Sequence, residues 1–209
     1  MAHARLSSLV ALSLVACGGA PARVTVAAPP APEPPAFSAG SHLARFHSTR
    51  FDASVPLPDG KAWRIDDHHA PVMRATHEST HSLVELAVWR EDELVNRAKC
   101  EARAHEQFFA PQAAGDEIST ETVSFPPGWD TGIWIGADHD GKHVTGELLA
   151  FGALLHKCLY FRFETKADLG AGAAAAGEAI SDRLAFARLR IFGGLELDSF
   201  DVPRARLGR

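Results

Sequence analysis

The chain has 209 residues, 46% of them hydrophobic and 22% charged, with a formal net charge of -5 and a pI near 6.1. This is an ordinary globular composition with a mild acidic excess. It lacks the long basic block that nucleic-acid binding requires.

The chain opens with a positive charge at Arg5, followed by an apolar run from Leu6 to Ala16. A run of roughly ten residues is too short to span a bilayer as a helix, which needs about 20. No other segment approaches that length without a charge or a turn residue. A charged start, a short apolar core and small residues before a cleavage point mark an export signal. The run ends in Leu14-Val15-Ala16-Cys17, which resembles the lipobox of bacterial lipoproteins. The resemblance implies that residues 1–16 are a signal peptide and that Cys17 is lipidated as the first mature residue. It also implies stable attachment, since bacterial lipoproteins typically carry several acyl chains and two or more anchor firmly. Gly18 stands where inner-membrane lipoproteins often carry Asp, so the resemblance points to the outer membrane, facing the periplasm.

Residues 17–40 read as a linker. Its centre, Pro29-Pro30-Ala31-Pro32-Glu33-Pro34-Pro35, has no periodicity and no core-forming residue. Such segments are extended at about 3.1 Å per residue, giving a spacer of up to roughly 70 Å. Residues 41–209 then have the length of one domain, with a core of useful size. With Cys17 lipidated, Cys100 and Cys158 remain as a pair in an oxidising compartment, which favours a disulfide over two free thiols. In the chain-entropy model that bond contributes roughly 4 kcal/mol.

Within the domain, Phe51 to Leu57 alternates like a strand and stops at Pro58-Asp59-Gly60, a turn tripeptide. Trp63-Arg64-Ile65, Val72 to Thr76 and Ser82 to Arg90 follow as strands, the last with Val84, Leu86 and Val88 on one face and Trp89 on the other. From Glu91 to Phe109 the period changes to 3.6, with Asp92 as the expected N-cap, Leu94, Val95, Ala98, Ala102, His105 and Phe109 on the buried stripe, and Cys100 on the polar side. Ile118 to Phe125, Ile133 to Ala137, His143 to Leu155 and Lys157 to Thr165 are strands again, and Asp140-Gly141 marks a tight hairpin. On the last strand Leu159, Phe161 and Phe163 share one face, and Cys158, Tyr160 and Arg162 the other. Asp168 to Phe192 closes as one long helix ending at Gly193-Gly194. Arg204 to Arg209 reads as a solvated basic tail.

Strands, helix, strands and helix joined by tight hairpins predict an α+β fold, with an antiparallel sheet of about six strands packed against a mid-chain helix and a long C-terminal one. The opening Phe51…Pro58-Asp59-Gly60…Trp63, the meander and the closing helix resemble the PsbP type of α-β-α sandwich. That resemblance implies a binding or assembly protein, and it transfers no functional residue because no residue-level motif matches.

His77-Glu78-Ser79-Thr80-His81 satisfies H-E-x-x-H, the zinc-peptidase motif in which one helical turn brings two imidazoles to a metal and Glu activates the bound water. Glu101, twenty residues on, completes a ligand set on paper. The local sequence argues against it: Ser79, Thr80 and Ser82 are poor helix formers, and period-two alternation follows. A hairpin loop at Glu78-Ser79-Thr80 instead makes His77 and His81 cross-strand neighbours about 5 Å apart. Asp138-His139-Asp140-Gly141 starts like a calcium loop but lacks the closing Glu, and His68-His69 lies in a polar stretch. Trp63, Trp89, Trp129 and Trp134 are candidates for a binding face, with ordinary packing the simpler account. The sequence therefore reads as a lipid-anchored envelope protein acting by binding, with no catalytic residue, metal or cofactor. Its partners are the membrane, through lipid, and an envelope protein or small ligand. The alternative is a zinc-dependent hydrolase using His77, Glu78, His81 and Glu101.

Overall fold

Period-two alternation builds most of this molecule. The computed structural model describes Phe37, residues 41–108 and residues 110–197. The lipobox-like segment with Cys17, the Pro-rich centre of the linker and the Arg204–Arg209 tail lie outside the described residues. In chain order the elements are β1 (Leu43–Ser48), β2 (Ala53–Pro58), β3 (Trp63–Asp66), β4 (Met73–His77), β5 (Ser82–Arg90), α1 (Arg97–Gln107), β6 (Asp116–Val123), β7 (Asp130–His139), β8 (His143–Leu154), β9 (Lys157–Asp168), α2 (Ala173–Phe186) and β10 (Glu196–Leu197).

The fold is mixed α and β with antiparallel sheets. The main sheet has seven strands rather than six, in the order β3-β4-β5-β9-β8-β7-β6. A second, three-stranded sheet, β1-β2-β10, takes the strand expected at Phe51 to Leu57 out of the meander. No helix among the described residues is long and apolar enough to cross a membrane.

The two faces of the main sheet differ in chemistry. One carries Val84, Leu86, Leu148, Phe161 and Phe163, all fully buried, with Ile180 and Leu184 of α2 packed on it. The helix approaches closely because Gly146 has no side chain: a Cβ there would come within 2.5 Å of Ile180 Cγ2. Burying each such Leu or Phe is worth about 1.5–3 kcal/mol. The small sheet extends this layer, with Ala53, Val55 and Leu57 of β2 buried. Helix α1 lies on the opposite face, held to it by the disulfide between Cys100 and Cys158, whose Cα atoms are 5.2 Å apart.

Several boundaries differ from the sequence reading, each for a local reason. Helix α1 begins at Arg97, not Glu91, and its N-cap is Asn96, whose Oδ1 accepts from the Lys99 N–H at 2.9 Å. Asp92 does not cap because the preceding stretch is tied elsewhere: the N–H groups of Glu91 and Val95 donate to His156 and Leu155 carbonyls on the β8–β9 hairpin. Cys100, placed on the polar side of the predicted helix, is fully buried against Trp89, Val95 and Ala153. The closing helix is shorter than Asp168–Phe192. Strand β9 runs through Asp168, whose side chain accepts from the Gly170 N–H, and α2 starts only after Gly172 at φ 100°. It ends in a π-helical turn, Ala187–Ile191, and a short 3-10 turn, Phe192–Gly194. Phe37, assigned to the linker, is 5% exposed and packs against Trp63, His77 and Phe186. The packed unit thus includes a residue before position 41.

Candidate functional site

The H-E-x-x-H segment does not form a peptidase site. Glu78–Thr80 is a single 3-10 turn between β4 and β5, and His81 leaves it in the left-handed conformation at φ 47°. Strand pairing places His77 opposite Ser82, so His81 sits in the loop and is not its cross-strand neighbour. His77 points into the α2 side of the sheet, its ring 5.1 Å from Trp63 and 5.5 Å from Phe37. Its Nδ1 is 2.8 Å from Thr80 Oγ1, the start of a buried hydroxyl chain through Ser82 to Thr165. Burial pushes the His77 pKa below the ordinary value; Asp59 opposes that shift and Arg183 adds to it. Glu101 is on α1, across the sheet from His77. The zinc-ligand set is therefore divided between two faces, and His77 is a core histidine. Among the described residues no group of three His, Cys, Asp or Glu is placed to hold a metal.

One concave feature of the α1 side is a cavity of about 280 Å³ between α1 and the strands β6, β7 and β8. Its floor comes from outward positions of β7 and β8: Trp134, Leu149 and Phe151. Its wall is α1, where Arg97, Glu101 and His105 recur at helical spacing on one stripe. The edge strand β6 contributes Thr120 and Thr122. Two glycines shape the floor. Trp134 lies along its strand over Gly136, where a Cβ would meet the ring at 2.2 Å, and the Arg97 side chain crosses Gly132, where a Cβ would meet its Cδ at 2.9 Å. Apolar floors with a few directed polar groups are the usual make-up of small-molecule sites, and this volume is just below their usual range of about 300–1,000 Å³.

The polar groups of the cavity are mostly engaged. Arg97 donates to Thr122 Oγ1 at 3.0 Å and meets Asp130 at 3.4 Å. Glu121 pairs with Arg188. His105 Nδ1 is 2.7 Å from the Ala110 carbonyl oxygen, and its Nε2 is 4.0 Å from Glu101 Oε1. The ring also tilts against Phe151, with centroids 5.5 Å apart.

Beside the cavity, on the same face, runs a buried ion-pair network. Leu149 and Phe151 pair across β8–β9 with Arg162 and Tyr160, and these pair in turn with Glu85 and Ala87 on β5. Arg162 reaches Glu147 at 2.6 Å and Glu85 at 3.5 Å, and it also pairs with Glu164. Glu85 accepts from Arg74 and from the Tyr160 hydroxyl, the latter at 3.0 Å. Burial raises the Glu147 pKa despite the Arg162 guanidinium beside it. Burial, then the Glu85 charge, pushes the Tyr160 phenol far up, so it keeps its proton and donates it to Glu85. Burial works against the Arg162 charge, yet Glu147, Glu164 and Glu85 together hold its pKa above the ordinary value. Each carboxylate is matched by a cation or a donor, so the network fixes side chains beneath the cavity's flank and leaves no free nucleophile.

The remaining sequence candidates are scattered. Trp63 and Trp129 are buried, while Trp89 tilts onto Phe108 with centroids 4.7 Å apart. Only Trp134 lines the cavity, so the four tryptophans do not form one face. At His68-His69, the backbone N–H groups of His69 and His68 bond to Asp66 and hold its carboxyl down at about 2. Asp140 likewise accepts from the N–H groups of Lys142 and His143, a turn rather than a calcium loop. Sequence reasoning missed His105, Leu149 and Phe151 as a group. The usable signal was the alternation of β8, which puts Glu147, Leu149, Phe151 and Ala153 on the face that Cys158 shares.

Comparison with known proteins adds little. No family model matches the chain. No curated protein matches it either. Among solved structures, a crystal structure from Bacteroides thetaiotaomicron aligns over 75% of this chain and 48% of its own, at 11% identity and TM-score 0.44. The chain thus spans about half the length of that protein.

Proposed function

We propose that this chain is a non-catalytic, lipid-anchored protein of the cell envelope that works by binding a small ligand in the cavity between α1 and β6–β8. The signal peptide at residues 1–16, the lipidated Cys17 and the spacer at 17–40 give the address: the outer membrane, facing the periplasm. The observation that carries the binding role is the cavity itself, with its floor of Trp134, Leu149 and Phe151 and its wall of Arg97, Glu101 and His105. Arg97, Thr122 and Glu121 are held by neighbours and His105 Nδ1 by the Ala110 carbonyl, an arrangement of fixed groups that favours binding over chemistry.

The test compares the wild-type chain with Thr120→Trp. Thr120 is exposed on the edge strand and lines the cavity opposite Trp134, so an indole there fills the space without entering the core. Ligand-observed NMR on the small-molecule fraction of envelope extracts is expected to show resonances broadened by the wild type and not by the variant. Identical spectra with both proteins refute the cavity as the binding site.

A further inference from the structure

We propose that the cavity takes a small, partly apolar amine, held as its ammonium ion between Glu101 and His105. This rests on the cavity being a ligand site and names the class of ligand. The argument starts at His105, whose Nδ1 lies 2.7 Å from the Ala110 carbonyl oxygen. A carbonyl only accepts, so Nδ1 carries the proton, and in the neutral ring Nε2 is an acceptor. Nε2 faces Glu101 Oε1 at 4.0 Å. An ionised carboxylate is also acceptor-only.

With His105 neutral, two acceptors share one stretch of cavity wall, and their separation selects what fits between them. A hydroxyl has one proton and satisfies one of the two. A nitrogen with two or more N–H bonds satisfies both: at about 2.8 Å from each, it spans the gap with an angle of about 90° at nitrogen. Charge selects the ammonium form. Arg97 is engaged by Asp130, and Glu121 by Arg188, so the Glu101 carboxylate is the charge left for a ligand when His105 is neutral. A metal ion needs more protein ligands than this pair, and no third His, Cys, Asp or Glu joins it among the described residues. The floor favours the same class, because Leu149, Phe151 and Trp134 add apolar surface for the carbon skeleton of the amine. A volume of about 280 Å³ limits that skeleton to a short chain or a single ring.

The experiment titrates the full chain, in detergent, with phenethylamine, its neutral counterpart 2-phenylethanol and anionic 3-phenylpropanoate, by calorimetry and saturation-transfer NMR. The expected order is amine first, with the alcohol about tenfold weaker and the carboxylate weakest, as a charge-assisted hydrogen bond implies. Glu101→Gln, at a half-exposed helix position that tolerates the change, is expected to weaken the amine about tenfold and leave the alcohol unchanged. Thr120→Trp is expected to abolish both. If the alcohol binds as well as the amine, or Glu101→Gln leaves the amine unaffected, the ammonium assignment is overturned while the cavity remains a ligand site. If no probe binds, or Thr120→Trp changes nothing, the cavity reading falls as well.

Discussion

Replacing Cys100 and Cys158 together by Ala removes a cross-link between α1 and the start of strand β9, 58 residues apart in sequence. A closed loop of that size withholds about 14 cal/mol/K from the denatured chain, or about 4 kcal/mol at room temperature. The folded state loses little else, because both residues are fully buried in a small apolar cluster with Trp89, Val95 and Ala153, where Ala is tolerated. For a domain of this size that loss lowers Tm by about 8–16 °C. Urea melts of the oxidised wild type, the reduced wild type and the double variant measure it. The last two are expected to coincide within about 1 kcal/mol, with a steeper denaturant slope than the oxidised protein because the unlinked denatured chain expands. A loss below about 1 kcal/mol in the double variant, or no effect of reduction on the wild type, refutes the argument.

Three other perturbations test the packing that positions the cavity. Arg162→Met leaves Glu147 buried without its counter-charge and takes one of two cations from Glu85, and is expected to cost about 3–5 kcal/mol in a urea melt; a neutral outcome would mean that Glu147 needs no cation and that Arg74 suffices for Glu85. Phe37→Ala empties an aromatic cluster with Trp63, His77, Phe163 and Phe186, and is expected to cost about 3–5 kcal/mol; if it costs nothing, the packed domain begins after the linker as the sequence alone implied. The His77 pKa is lowered on folding, so below the unfolded value of 6.5 the denatured state binds the extra proton first. Stability therefore falls as pH drops from about 6.5 toward the folded pKa, by at most about 1.4 kcal/mol per pH unit, and is unaffected above it. The gap between the stability-versus-pH curves of wild type and His77→Gln is expected to be constant above about pH 7 and to change below it, and parallel curves throughout would remove His77 from the account.

The sheet was legible in the sequence because its signal is local. Alternation at Val84-Leu86-Val88 and at Leu159-Phe161-Phe163 identifies buried faces without knowledge of any partner strand. The same alternation set Cys158, Tyr160 and Arg162 apart, and the structure puts them on the α1 side. What alternation does not carry is how that second face is covered. Whether α1 lies over Cys158 or elsewhere depends on the 91–95 stretch pairing with the β8–β9 hairpin, a non-local contact that also moved the helix start from Glu91 to Arg97. The cavity is hidden for the same reason. Arg97 and Glu101 look like the solvated flank of a helix, and His105 like one more residue of its buried stripe, until Trp134, Leu149 and Phe151 are brought beneath them. The H-E-x-x-H match failed on period: a motif that works only on a helix lies across a strand, a 3-10 turn and a left-handed residue.

Native mass spectrometry of the chain purified from the cell envelope in mild detergent tests the proposed function most directly, since one spectrum reports both the N-terminus and any bound small molecule. The account predicts a polypeptide that starts at Cys17 and carries acyl mass, with a small non-covalent adduct that wild type retains and Thr120→Trp loses. An unmodified chain starting at Met1, with no adduct in either protein, would contradict it.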